Sequence, residues 1–127
     1  MATPRRTPSP VRADMFTGIV QELATVQAVT RRNGLIHLTL RAPKTSDGLQ
    51  AGESLAVNGV CLSAVRVERD RVQVEMIPET QRRTNLGRVA SGDRVNVERS
   101  MSVSDRLNGH VVLGHVDGVG TITRRQQ

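Results

Sequence analysis

Residues 54–76 read SLAVNGVCLSAVRVERDRVQVEM, and this stretch decides the fold class. Asn58-Gly59 stands between two apolar runs, Ser54–Val57 and Val60–Val67. An Asn-Gly pair in that setting is a strong hairpin signal, because both residues tolerate the positive φ that a tight turn requires. The run Arg71-Val72-Gln73-Val74-Glu75-Met76 alternates apolar and polar with period two, the spacing of a half-buried strand. Between them, Val65-Arg66-Val67-Glu68-Arg69-Asp70-Arg71 mixes charges of both signs, as a solvated sheet face does.

Working outward, the pattern repeats. Arg31-Arg32-Asn33-Gly34 predicts a second tight turn, joining a strand within Gly18–Val29 to a strand over Leu35–Leu40. Ala42–Glu53 carries Pro43, Asp47-Gly48 and Gly52 and predicts a loop. Pro78–Leu86 predicts one short helix, with proline in its first turn, Glu79 near its start and Gly87 as its C-cap. Gly92-Asp93 leads into the alternating strand Arg94–Glu98, and His110–Thr123 predicts a last, glycine-punctuated strand. Short strands, frequent turns and one small helix imply an all-β, compact antiparallel barrel. Closure would remove the exposed edges. The crossover helices of a doubly wound sheet are missing. There is also an internal echo: Thr17–Val26 aligns with Leu113–Ile122, matching Gly18 to Gly114, Val20 to Val116 and Thr25 to Thr121.

Composition narrows the function. A chain of 127 residues with 37% hydrophobic content fits one domain with a modest core. One cysteine excludes an internal disulfide framework and a multi-cysteine zinc site. His110 and His115 lack a third good ligand, so no metal is expected. Gly114, Gly118 and Gly120 do not form a dinucleotide fingerprint, and no Walker lysine exists. No apolar run is long enough to span a bilayer, and no stretch at the start suits a signal peptide, so a cytoplasmic location is expected. Residues 1–14 hold three of the five prolines and read as a disordered leader. The net charge is +6, but Met1–Asp14 supplies +2 of it, and Arg124 with Arg125 another +2. The nearly balanced body, with one Phe and no Trp or Tyr, argues against a base-stacking nucleic-acid binder.

Several ordered motifs carry a family resemblance. Met15-Phe16-Thr17-Gly18-Ile19-Val20 resembles the opening of the riboflavin synthase alpha-chain family. Asn58-Gly59-Val60-Cys61-Leu62-Ser63 is similar to its Asn-Gly-x-Cys-Leu-Thr/Ser strand. Pro78-Glu79-Thr80, Arg83-Thr84-Asn85-Leu86-Gly87, Arg94–Arg99 and Gly109-His110…Gly114-His115-Val116 follow in family order. The resemblance covers Met15–Ile122. It implies a six-stranded Greek-key barrel of the lumazine-binding type over residues 15–99. Residues 100–127 would be a linker and the first strand of an incomplete second barrel.

The resemblance also implies a chemistry. In the family two molecules of dimethyl-ribityllumazine meet between barrels, and a four-carbon unit passes from one to the other, giving riboflavin and a ribitylamino-pyrimidine. No cofactor or metal is needed. The implied substrate-binding residues are Gly18, Ile19, Val20, Cys61, Leu62, Ser63, Glu75, Met76, Ile77, Pro78, Glu79, Thr80, Gly114, His115 and Val116. His115 is the candidate for proton transfer, since imidazole titrates near neutral pH. Cys61 and Ser54 are candidates for supplying a proton or nucleophile, or for orienting water. On the residues alone, Cys61 between Val60 and Leu62 reads as a buried core cysteine, Ser54 as the start of a strand, and Glu79 suits a helix-start charge. Phe16 suits a barrel plug or an interface; its place before a presumed interface strand favours the interface. The implied assembly is a homo-oligomer, a dimer for a single-barrel protein and a trimer for part of a full-length chain, with lumazine synthase as a further partner. A non-catalytic, single-barrel lumazine or flavin binder is the alternative reading.

Overall fold

The computed structural model describes residues 15–101 and 112–126. The expected leader 1–14 and most of the expected linker lie outside the described residues. Strands β2 (Glu22–Arg32), β3 (Leu35–Arg41), β4 (Ser54–Val57), β5 (Val60–Glu68), β6 (Arg71–Met76) and β7 (Arg94–Arg99) close into a barrel in the order β2-β3-β6-β5-β4-β7. All its pairings are antiparallel. Strands β4, β5 and β6 meander, and β6 returns to lie beside β3, which is a Greek-key connection.

Period-two alternation is what makes the barrel close around a core. In β3, Ile36, Leu38 and Leu40 point inward; in β6, Val72, Val74 and Met76 do the same. They meet Leu55, Val57, Leu62, Val95 and Val97 from the other strands in one apolar cluster. Each such side chain contributes about 1.5–3 kcal/mol by leaving water. The two Asn-Gly turns form as expected, with φ of 53° and 76° at Asn33 and Gly34 and of 50° and 79° at Asn58 and Gly59.

The structure corrects several expected boundaries. The first barrel strand starts at Glu22, not Gly18, because Glu98 claims the preceding residues. Its buried carboxylate accepts from the Thr17 amide at 2.7 Å, the Thr17 hydroxyl at 2.8 Å and the Gly18 amide at 3.0 Å. The loop Ala42–Glu53 holds a short helix, α1 (Pro43–Ser46). The Glu22 carboxylate accepts the Lys44 and Thr45 amides at its start. The single expected helix is split into α2 (Pro78–Arg83) and a 3-10 turn over Asn85–Arg88. Gly87 lies inside that turn rather than capping a helix; a Cβ there would stand 2.5 Å from the Gln81 carbonyl oxygen.

Outside the barrel, β1 (Met15–Phe16) pairs antiparallel with β8 (Val112–Leu113). The long strand expected over His110–Thr123 is therefore reduced, among the described residues, to Val112–Leu113. Beyond it the chain has no ladder partner, and Val119 and Ile122 stand exposed. Phe16, expected as an interface residue, is 1% exposed within its own chain. Its strand partner is Val112, its own counterpart in the sequence echo. Among the described residues no helix is long and apolar enough to cross a membrane.

Candidate functional site

A recess lies on the outside of the barrel, where β5, the β6–α2 corner and the segment after β8 converge. It is an open cavity of about 450 Å³, within the range of small-molecule sites. The start of β5 contributes Val60 and Cys61; the corner and α2 contribute Ile77, Glu79, Thr80, Arg83 and Thr84; the last segment contributes Leu113, Gly114, His115 and Val116.

One close approach fixes this geometry. The Cys61 amide donates to the Gly114 carbonyl at 2.9 Å. A Cβ at Gly114 would lie 2.2 Å from the Cys61 Cβ and 2.6 Å from its nitrogen, so only glycine lets the two backbones meet. The half-buried Cys61 thiol is not in a disulfide. Val116 packs on the edge of the core and pins the far end of the segment.

The polar groups divide into two pairs at the rim. Arg83 reaches Glu79 at 3.1 Å, one helical turn back. His115 Nε2 lies 2.9 Å from Asp117 Oδ1, both widely exposed. The Thr84 hydroxyl donates to the Thr80 carbonyl at 2.7 Å and accepts the Leu86 amide at 3.3 Å, so it serves the helix end.

A polar row runs across the outer barrel face beside the cavity. His37 on β3 is in register with Glu75 on β6, Glu75 with Ser63 on β5, and Ser63 with Ser54 on β4. Cys61 and Ile77, on the cavity floor, follow on the same outward side of β5 and β6. Two residues of strand put the row ~7 Å from the floor.

Of the expected site residues, the structure brings together Cys61, Ile77, Glu79, Thr80, Gly114, His115 and Val116. Pro78 sits in the first turn of α2 between two of them. Leu62 and Met76 do not join them: both point into the core, 4% and 2% exposed. Ser54, Ser63 and Glu75 lie along the polar row and not on the floor. Gly18 and Val20 line a separate recess of about 260 Å³ with Asn58, Asn85, Asn96 and Glu98, and Ile19 is exposed. Among the described residues no three His, Cys, Asp or Glu side chains gather as a metal site would require.

The lumazine binding domain model matches residues 17–100. The chain belongs to the lumazine binding domain family. It is 43% identical over 110 residues to riboflavin synthase of Bacillus amyloliquefaciens, covering 87% of this chain and 51% of that protein. Against riboflavin synthase of Mycobacterium tuberculosis (strain ATCC 25618 / H37Rv) it is 44% identical over 115 residues, covering 87% of this chain and 56% of the other. This chain thus spans about half the length of those relatives. Its fold is similar to that of LumP in a crystal structure with 6,7-dimethyl-8-(1'-D-ribityl) lumazine, with TM-score 0.66 at 24% identity over 81% of this chain and 54% of that one. LumP complexed with flavin mononucleotide gives the same TM-score, 0.66, over the same shares.

Val60, Arg83, Thr84 and Leu113 line the cavity although they are not among the binding residues expected from the sequence. For Arg83 and Thr84 a signal existed. They stand three and four residues after Thr80 on a predicted helix, which puts them on its face. For Val60 and Leu113 nothing separates a cavity wall from an ordinary strand residue.

Proposed function

We propose that this barrel is the ligand-binding half of a riboflavin synthase, and that the cavity over Cys61 takes dimethyl-ribityllumazine. One observation carries the reading: an apolar floor lies beside a polar row, on one face, at the spacing of a flat ring and its polyol tail. The ring would lie on Val60, Cys61, Ile77, Leu113 and Val116. The tail would follow Ser63, Glu75 and Ser54, whose oxygens suit a chain of hydroxyls. Thr80 and the backbone around Gly114 would bond the polar edge of the ring. Ser54 then binds the tail rather than reacting.

The reaction joins two bound lumazines. Each loses or gains a four-carbon unit, so that one becomes riboflavin and the other a ribitylamino-pyrimidine. Holding both rings in one orientation makes the bimolecular step effectively unimolecular. His115, at the rim, takes the proton from the acidic ring methyl, and Asp117 holds its Nε2 so that the imidazole stays turned. Cys61 offers its thiol to the ring from below. The second ring needs a second barrel over the open side, and the exposed Ile77 and Leu113 beside the cavity favour such a cover. We therefore assign the working form to an oligomer of barrels.

Riboflavin formation from dimethyl-ribityllumazine, followed by absorbance, tests this reading. Turnover that rises with protein concentration is expected. Saturable ligand binding without any turnover, at concentrations where the protein self-associates, would reduce it to the binder alternative.

A further inference from the structure

On a bare sheet face, a carboxylate turns among its rotamers and is fully hydrated. Glu75 is not in that state. Its Oε2 lies 3.3 Å from His37 Nε2, across the β3–β6 register pair. His37 points outward, yet only 13% of its side chain is exposed, against 36% for Glu75. The imidazole is therefore packed, and the carboxylate is the part that meets solvent. Opposite it, on the other neighbouring strand, stands the exposed Ser63, and Cys61 follows on the cavity floor. None of the family motifs contains His37, and the cavity itself does not reach it.

We infer that His37 is a positioning residue for the polyol tail of the ligand: it holds Glu75 with one oxygen tied back and the rest of the carboxylate turned along the row toward Ser63. A fixed carboxylate accepts two neighbouring hydroxyls of an alditol chain without first losing rotamer freedom on binding, which is why its preorganisation matters. The ring, seated ~7 Å away on Cys61 and Ile77, does not feel it. This inference rests on the lumazine and flavin reading of the cavity, and it assigns recognition of the tail, as distinct from the ring, to a pair of residues outside the cavity walls.

The test compares two ligands by fluorescence titration: riboflavin, and lumiflavin, which has the same ring with a methyl group in place of the ribityl chain. His37→Ala is expected to weaken riboflavin binding about fivefold to tenfold, the worth of one well-placed hydrogen bond, and to leave lumiflavin binding unchanged. His37→Gln, whose amide can still donate to Glu75, is expected to restore most of the riboflavin affinity. Glu75→Gln is expected to lose the same preference for the ribityl ligand. Thermal unfolding of each variant shows that it is folded. Unchanged riboflavin affinity in His37→Ala overturns the inference and leaves the cavity reading intact. So does an equal loss for both ligands, which marks a merely structural role. If neither ligand binds the parent protein, the cavity reading and the inference fall together.

Discussion

At the scale of single residues, glycine and glutamate do more than the candidate reactive groups to shape the site. Gly114 lets the last segment touch β5 at Cys61, and Glu98 ties Thr17 and Gly18 to β7. Gly114→Ala is predicted to push the segment off Cys61 and lower riboflavin affinity by about tenfold or more, which is ~1.4 kcal/mol. Barrel unfolding in urea should change far less than ligand affinity, because the segment meets only the edge of the core, at Val116; a large loss of stability would contradict this. Glu98→Gln keeps the size but weakens three accepted hydrogen bonds, two of them from backbone amides. A destabilisation of about 1–3 kcal/mol is predicted, readable as a lower urea midpoint. The sequence made Gly114 legible through its echo with Gly18. It left Glu98 invisible, since a glutamate in an alternating strand reads as a solvated face. Cys61 and His115 were legible only through motif, because the residues alone read as a core cysteine and a structural histidine. The structure puts both at the cavity.

At the scale of elements, the alternating strands were readable because their register with the core leaves only one face for apolar side chains. Their boundaries were less so. Strand β2 loses its expected first residues to the Glu98 anchor, and the expected strand over His110–Thr123 shrinks for want of a pairing partner. The helix expected after Pro78 breaks at Thr84, whose hydroxyl takes over both the Thr80 carbonyl and the Leu86 amide. Helix α1 was missed because four residues with Pro43 at their head read as a turn. Its anchor is Glu22. Burial pushes that carboxyl up, but the Lys44 and Thr45 amides and the Lys44 charge outweigh it, so its pKa falls below the ordinary value. A lowered folded pKa stabilises the protein above the unfolded value, and the contribution is lost as pH falls through the folded one. Glu22→Gln is therefore predicted to lose stability at pH 7 and to converge on the parent at acid pH below the usual carboxylate range. Parallel unfolding curves at every pH would contradict it. In the middle of β3, Leu38→Ala removes a fully buried side chain and is predicted to lower stability by about 2–5 kcal/mol in urea titration.

At the scale of the whole molecule, the sequence echo and the pairing of β1 with β8 describe the same relation. Phe16 lies opposite Val112, its own counterpart, so the two copies of the motif meet about a local two-fold. One copy, through Gly114, His115 and Val116, walls the cavity of this barrel. The other copy, Gly18, Ile19 and Val20, is turned away from it and partly exposed. That is why a single list of expected binding residues divided between two places. The motif was readable in the sequence, but which copy serves which barrel depends on long-range pairing that no local pattern encodes. The one Phe is buried on β1, outside the barrel, and the cavity lining holds no Phe. The central claim is that the outer-face cavity over Cys61 binds a lumazine through the Gly114 segment. Titration of dimethyl-ribityllumazine into the parent chain and Gly114→Ala, followed by ligand fluorescence, tests it most directly. Saturable binding to the parent at one ligand per barrel, weakened about tenfold in the folded variant, is the predicted result. No saturable binding to the parent, or equal binding to both, would contradict the account.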